Sequence, residues 1–206
     1  MWCPRCGAPV VPDLDAAGVW TCGRHGPVPP LHGFAEPTVH VLLDHVARAA
    51  FPTWLPWPPP TSWSVTGVGR VGDPRTAATV LACSGPDPLG QPGDLLVVAE
   101  EPGTGLGAGY AGLEGSDPGP EMLARTSDAK VVVGGHPTPL WHVGGPDDRE
   151  TYVGEASGRW LWVLGWPKLA TAAVLLEATT LIDLADLVGE LDVVLLSGLC
   201  ARLSRS

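Results

Sequence analysis

The chain has 206 residues, 45% of them hydrophobic, and a formal charge of −10. That length and apolar content suit one medium domain or a small module beside a larger one. The acidic balance excludes the ordinary nucleic-acid binder, which presents a basic face.

The N-terminus carries the most specific pattern in the chain. Cys3 and Cys6 lie in Cys-Pro-Arg-Cys-Gly, Cys22 and His25 lie in Cys-Gly-Arg-His-Gly, and fifteen residues separate Cys6 from Cys22. Two ligands on each of two tight turns is the spacing of a tetrahedral Zn²⁺ ribbon. Gly7, Gly23 and Gly26 let the turns curl so that amides face sulfur, and Pro4 fixes φ after the first ligand. Ala8 to Val11 and Gly18 to Thr21, parted by Pro12, Asp13, Leu14 and Asp15, read as a β-hairpin between the knuckles.

A module of about 30 residues cannot bury enough apolar surface to fold unaided, so a metal would supply the missing stability. One structural zinc per chain, held by Cys3, Cys6, Cys22 and His25, is therefore expected, with His32 as an alternative fourth ligand. Iron would prefer four thiolates, and a catalytic zinc would keep one position open. Residues 1–33 balance Arg5 and Arg24 against Asp13 and Asp15, so the ribbon has no basic face.

Residues 34–61 form the expected second part. Val39, Leu42, Leu43, Val46 and Ala50 recur near helical spacing, which predicts an amphipathic helix over Pro37 to Ala50 with His40, Asp44, His45 and Arg48 on its solvated face. Prolines then alternate with Trp54, Trp57 and Trp63. This stretch reads as a polyproline-like connector whose indoles pack on the next part or, in a sharper reading, present a partner-binding surface.

Residues 62–206 are expected to form an α+β domain on a mainly antiparallel sheet. Short apolar runs at Ser64 to Val71, Ala77 to Cys83, Leu95 to Ala99, Ala129 to Gly134, Pro139 to Val143, Thr151 to Glu155 and Trp160 to Leu164 predict its strands. Ala170 to Ala178 and Leu181 to Leu191 predict one or two C-terminal helices, and Val193 to Leu196 a last strand. The glycines between Gly103 and Pro120 mimic a dinucleotide fingerprint, but the glycines and prolines that follow break helices, so the segment reads as a loop.

Chemistry in this domain is weakly signalled. Ser84 lacks the glycine two residues earlier that a nucleophile elbow needs, and Cys83 and Cys200 read as buried fillers. Glu100 and Glu101 point to opposite faces of a strand. A hydrolytic or small-molecule site around Glu100, Glu101, Asp117 and His142 is the alternative to a non-enzymatic module that binds or regulates a protein partner. Trp160 to Leu176 is apolar but interrupted by Gly165, Pro167 and Lys168, and the first ligand comes at residue 3. Neither a membrane span nor a leader is therefore expected, and the location is read as cytoplasmic.

Several longer motifs join the two cysteine knuckles: Trp-Leu-Pro-Trp-Pro at 54–58, Thr-Gly-Val-Gly at 66–69, Ser-Gly-Pro-Asp-Pro-Leu-Gly at 84–90 and Val-Ala-Glu-Glu-Pro-Gly-Thr-Gly-Leu-Gly-Ala at 98–108. With Asp-Pro-Gly-Pro at 117–120 and Pro-Thr-Pro-Leu-Trp at 137–141, the whole resembles an uncharacterised actinobacterial family with an N-terminal zinc ribbon. Members of that family sometimes carry the label phosphotransacetylase. An acetyl-phosphate enzyme would want a basic anion site, whereas residues 61–206 carry nine basic against eighteen acidic residues. The strands near residues 151–165 and the helix expected after them also resemble carrier-type half-barrels, which implies an aromatic concavity formed by Trp141, Trp160, Trp162 or Trp166.

Overall fold

Runs of Val, Leu and Trp parted by Gly and Pro turns close into two sheets in the computed structural model, which describes residues 1–13, 18–176 and 179–204. The small sheet is the ribbon: β1 (Val11–Pro12), β2 (Trp20–Cys22) and β3 (Gly26–Pro27), antiparallel throughout. Its third strand was not foreseen, and Leu14 and Asp15 of the expected turn lie outside the described residues.

Helix α1 (Val39–Ala49) follows, capped by the Thr38 hydroxyl, which accepts from the Val41 amide at 3.2 Å. The large sheet comprises β4 (Trp54–Trp57), β5 (Ser64–Val71), β6 (Ala78–Pro86), β7 (Pro92–Glu100), β8 (Ala129–Val133), β9 (His136–His142), β10 (Glu150–Ala156), β11 (Arg159–Trp166) and β12 (Thr180–Asp183). Its spatial order is β4-β12-β8-β9-β10-β11-β7-β6-β5, and only the β12–β8 pair is parallel. The fold is thus α+β on a mainly antiparallel, curled sheet.

The central strands β6, β7 and β11 are apolar on both faces, which explains sequences such as Leu-Leu-Val-Val-Ala at 95–99. Leu81, Leu95, Val97, Leu161 and Val163 face one core, which α1, β4 and the segment after β11 cover. Val80, Leu96, Val98, Trp162 and Leu164 face a second, covered by the short helix α2 (Leu106–Ala111), by Cys200 and Leu203, and by Leu31. At the β5 edge, Val65 donates its amide to Leu195 and accepts from Ser197, while Leu31 bridges to Val71. Both segments cover backbone groups that an open edge would expose.

Several expected elements differ. The stretch read as polyproline-like contains strand β4, whose place at the sheet edge tolerates Pro56 because no amide hydrogen is needed on the open side. Trp54 is buried and Trp57 packs against the same core, so these indoles join the domain interior. The first residues of the helix expected at Leu181 to Leu191 form β12, and a 3₁₀ run covers Leu184–Val193. The segment from Ala170 is 3₁₀ over Lys168–Thr171 and helical only over Ala172–Leu175. Residues 177 and 178 lie outside the described residues. Val193 to Leu196 forms only a single bridge, Leu196 to Val65. Among the described residues no helix is long and apolar enough to cross a membrane.

Candidate metal centre and its buried neighbours

The two knuckles of the ribbon bring four donor atoms together. In the first, the Gly7 amide donates to Cys3 O at 2.9 Å and the Cys3 amide to Ala8 O at 2.8 Å, closing the turn that carries Cys3 and Cys6. Gly7 and Gly26, one beside each knuckle, both have positive φ (72° and 66°), a conformation side-chain-bearing residues avoid. Strand β2 ends on Cys22 and its turn into β3 delivers His25.

Cys3 Sγ, Cys6 Sγ, Cys22 Sγ and a ring nitrogen of His25 all lie within 4.8 Å of one another. Cys6 Sγ and Cys22 Sγ are 3.8 Å apart, and His25 Nδ1 is 3.5 Å from Cys3 Sγ and 3.7 Å from Cys22 Sγ. A tetrahedron with metal–sulfur bonds of about 2.3 Å and a metal–nitrogen bond of about 2.0 Å has edges of about 3.8 and 3.5 Å. Three of the six donor separations therefore match the edges a four-coordinate ion requires, and the other three lie within 4.8 Å. Cys3 and Cys22 are buried, while Cys6 and His25 sit half-buried toward the rim.

Burial pushes the Cys3 thiol up to about 11. Burial also raises the Cys22 thiol, but the amides of Arg24 and His25, with the His25 ring, outweigh it and leave Cys22 lowered to about 6. His32 does not join the set. Its Nε2 lies 2.9 Å from Gly72 O and its Nδ1 3.5 Å from Arg70 Nη2, so the alternative ligand is held elsewhere.

Arg5, between the first two ligands, ties the ribbon to the large sheet. Its guanidinium donates to Gly103 O at 2.7 Å and to Thr104 O at 3.4 Å, in the turn that leads into α2. Trp2 and Leu31 exchange both backbone bonds at 2.9 and 2.7 Å, and the His32 amide donates to Arg70 O at 3.0 Å.

Behind the Gly103 turn lies Glu100, fully buried at the end of β7. Its Oε2 accepts from the amides of Leu106 (2.7 Å) and Gly107 (3.3 Å), while Oε1 has no hydrogen-bond partner among the described residues. Burial raises this carboxyl to about 7; the two amides and the Trp162 indole act against that, and Asp117 adds to it. Asp117 Oδ1 accepts from the Gly103 amide at 2.8 Å and from Trp160 Nε1 at 2.9 Å. The segment read as a loop thus contains a helix, because Glu100 satisfies its first amides and Gly107 lets it lie on Trp162, where a β-carbon would overlap the indole.

Of the four candidates for a hydrolytic site, Glu100 and Asp117 lie together around the Gly103 turn, whereas Glu101 and His142 do not face them. Glu101 faces outward and pairs with Arg75 at 2.6 Å. His142 sits on β9, three strands from Glu100, where it pairs with Glu150 at 3.2 Å and meets the Tyr152 ring edge-on. The expected aromatic concavity is filled: Trp162 and Trp166 are buried, Trp160 and Trp141 pack against the same core, and α2 lies across it.

Two features escaped the sequence reading. His45, taken as solvated, is buried with Nε2 2.9 Å from Thr53 Oγ1, and burial lowers its pKa to about 4. Its spacing from Leu42 and Ala49, three before and four after, was the available signal. The docking role of Arg5 had no signal beyond its place inside a knuckle.

No curated protein and no solved structure matches the chain. The model of a family of unknown function, DUF6758, matches residues 1–203, and the chain belongs to that family.

Proposed function

We propose that the chain is a cytoplasmic protein-binding or regulatory module whose ribbon is held by one structural Zn²⁺. The observation that supports the metal reading is the donor set: three sulfurs and one imidazole nitrogen gathered within 4.8 Å, the number that fills a four-coordinate site with no position left for water or substrate. Three thiolates with one imidazole favour zinc over hard cations and over iron–sulfur ligation. The ion's task is to hold the knuckle that presents Arg5 to the sheet domain and the Trp2–Leu31 pairing beside it, through which Leu31 meets Val71.

The partner-binding reading draws support from the half-exposed Trp2 and Phe34 beside the ribbon. Complete burial of Glu100, the outward turn of Glu101 and the distance of His142, three strands away, weigh against the hydrolytic alternative. Elemental analysis of purified protein tests the metal reading. About one zinc per chain is expected, falling to near zero in Cys22→Ser. Iron in place of zinc, or a folded ribbon without metal, would overturn it.

A further inference from the structure

Where the ribbon meets β5, the sequence Thr-Gly-Val-Gly at 66–69 strips side chains from a strand edge. The Phe34 ring occupies the space above Gly69, and Leu203 that above Gly67. Trp2, Leu31, Phe34 and Leu203 consequently line an open apolar cleft of about 430 Å³, with Trp2 43% exposed at its mouth. The cleft shares Gly33 with a second groove of about 490 Å³ between α1 and β5, lined by His32, His40, Asp44, Arg48 and Arg70.

In this groove Arg48 is held by Asp44 at 2.7 Å. Arg70 spends its guanidinium on Gly72 O at 2.9 Å and on His32 at 3.5 Å, and among the described residues it forms no ion pair. A guanidinium has five donors, so Arg70 keeps capacity for a carboxylate. On a molecule of charge −10 this is an unusual place: two guanidinium groups and two half-buried or exposed imidazoles face one carboxylate.

Resting on the partner-binding role above, we infer that the cleft and groove together bind an extended, acidic peptide segment of a partner protein. A large apolar side chain of that segment enters the Trp2–Phe34–Leu203 cleft, and a carboxylate a few residues away reaches Arg70. Charge selects the occupant and its direction. The molecule's net negative charge repels an anionic segment, and the guanidinium groups of this groove offset that repulsion locally, which favours one register. Screening beyond about 8 Å at physiological salt leaves the local guanidinium contact in control. Tryptophan in the cleft and arginine in the adjoining groove supply two of the residue types most enriched at binding hot spots. The two spaces are open and end to end, which suits a chain better than a compact ligand.

The test begins with random twelve-residue peptides displayed on phage and selected on the full, metal-loaded chain. Enriched sequences are expected to place Phe, Trp, Leu or Ile within a few residues of Asp or Glu. A synthetic peptide of the enriched sequence, titrated into ¹⁵N-labelled unmodified protein, should shift the amides of Gly33 and Val68 to Arg70 and the Trp2 indole. Affinity should fall tenfold or more in Arg70→Gln and in Phe34→Ala, and stay unchanged in Lys130→Glu. Selected peptides that shift amides elsewhere, or whose affinity survives both variants, would remove this site while leaving a partner-binding role intact. Enrichment of basic peptides, or equal shifts of the same amides by free phenylacetate, would also overturn it. A selection yielding no binder of any composition would overturn both the site and the role.

Discussion

At the scale of single residues, two buried titratable groups oppose one another. Glu100 is raised to about 7 from an ordinary value of 4.5, so the folded state binds its proton more tightly than the unfolded state does. Its contribution is fully present below about pH 4.5 and is lost as pH rises through 7, a loss on the order of 3 kcal/mol. His45 is lowered to about 4 from 6.5, so its contribution is present above pH 6.5 and is lost as pH falls through 4, by a similar amount of about 3 kcal/mol. Between pH 4.5 and 6.5 the two slopes offset. Each conservative variant should therefore unmask the other group: Glu100→Gln becomes more stable relative to the parent as pH rises from 5 to 8, and His45→Gln becomes more stable relative to the parent as pH falls from 6.5 to 4.5. Urea unfolding of parent and variant at each pH checks this, since differences cancel slopes common to both, including proton competition for the thiolates. Parallel curves for parent and Glu100→Gln would show that the carboxyl is not perturbed in the folded state.

Among the elements, β5 depends on its glycines as surfaces for other side chains. A β-carbon at Gly69 would overlap the Phe34 ring, and Gly67, at φ 156°, lies under Leu203 and Leu199. Gly69→Ala should cost about 1–3 kcal/mol in the parent, as overpacking does. Much of that cost should vanish in a Phe34→Ala background, giving a coupling that a double-mutant cycle in urea measures directly. A cost independent of Phe34 would place the strain elsewhere in the strand. The same residues show what was legible in the sequence. Strands β5 to β11 could be read because Gly and Pro bracket their apolar runs, and the ribbon because ligand spacing is a covalent constraint. β12 could not, since Thr-Leu-Ile-Asp runs directly into Leu-Ala-Asp-Leu-Val, whose period is helical, and pairing with β4 and β8 overrides it. α2 could not either, because Gly107 reads as a breaker until Trp162 is seen to occupy the space a side chain would take. At the candidate metal site all four donors were visible in the spacing, whereas the bonds from Arg5 to Gly103 and Thr104 span about a hundred residues and leave no local trace.

For the whole molecule, the question is how far the influence of a metal bound by the ribbon would reach. Among the described residues the ribbon's own core is four buried side chains, Cys3, Val10, Cys22 and Val28, two of which are candidate ligands. A core this small would need a bound ion to persist. The large sheet, by contrast, buries strands on both faces, with Leu31 of the ribbon adding one residue to its second core. The contacts that cross between them include Leu31 to Val71, the Gly72 amide to Pro30 O, His32 to Arg70 and Gly72, and Arg5 to the Gly103 turn. That turn opens α2, which is only six residues long and is held by Glu100, Asp117 and Arg5 rather than by its own length. Chelation should therefore raise hydrogen exchange in two places, residues 1–32 and the segment from Gly103 to Ala111, while the amides of β6, β7 and β11 keep their protection. Arg5→Ala separates the two effects: it should keep its metal and a protected ribbon core, yet loosen the Gly103 segment by several-fold in exchange rate. Unchanged exchange from Gly103 to Ala111 after metal removal would mean that the ribbon is an appendage whose state the sheet does not register. Loss of protection throughout β6 and β7 would mean the reverse, that the small module is required for the large one to fold.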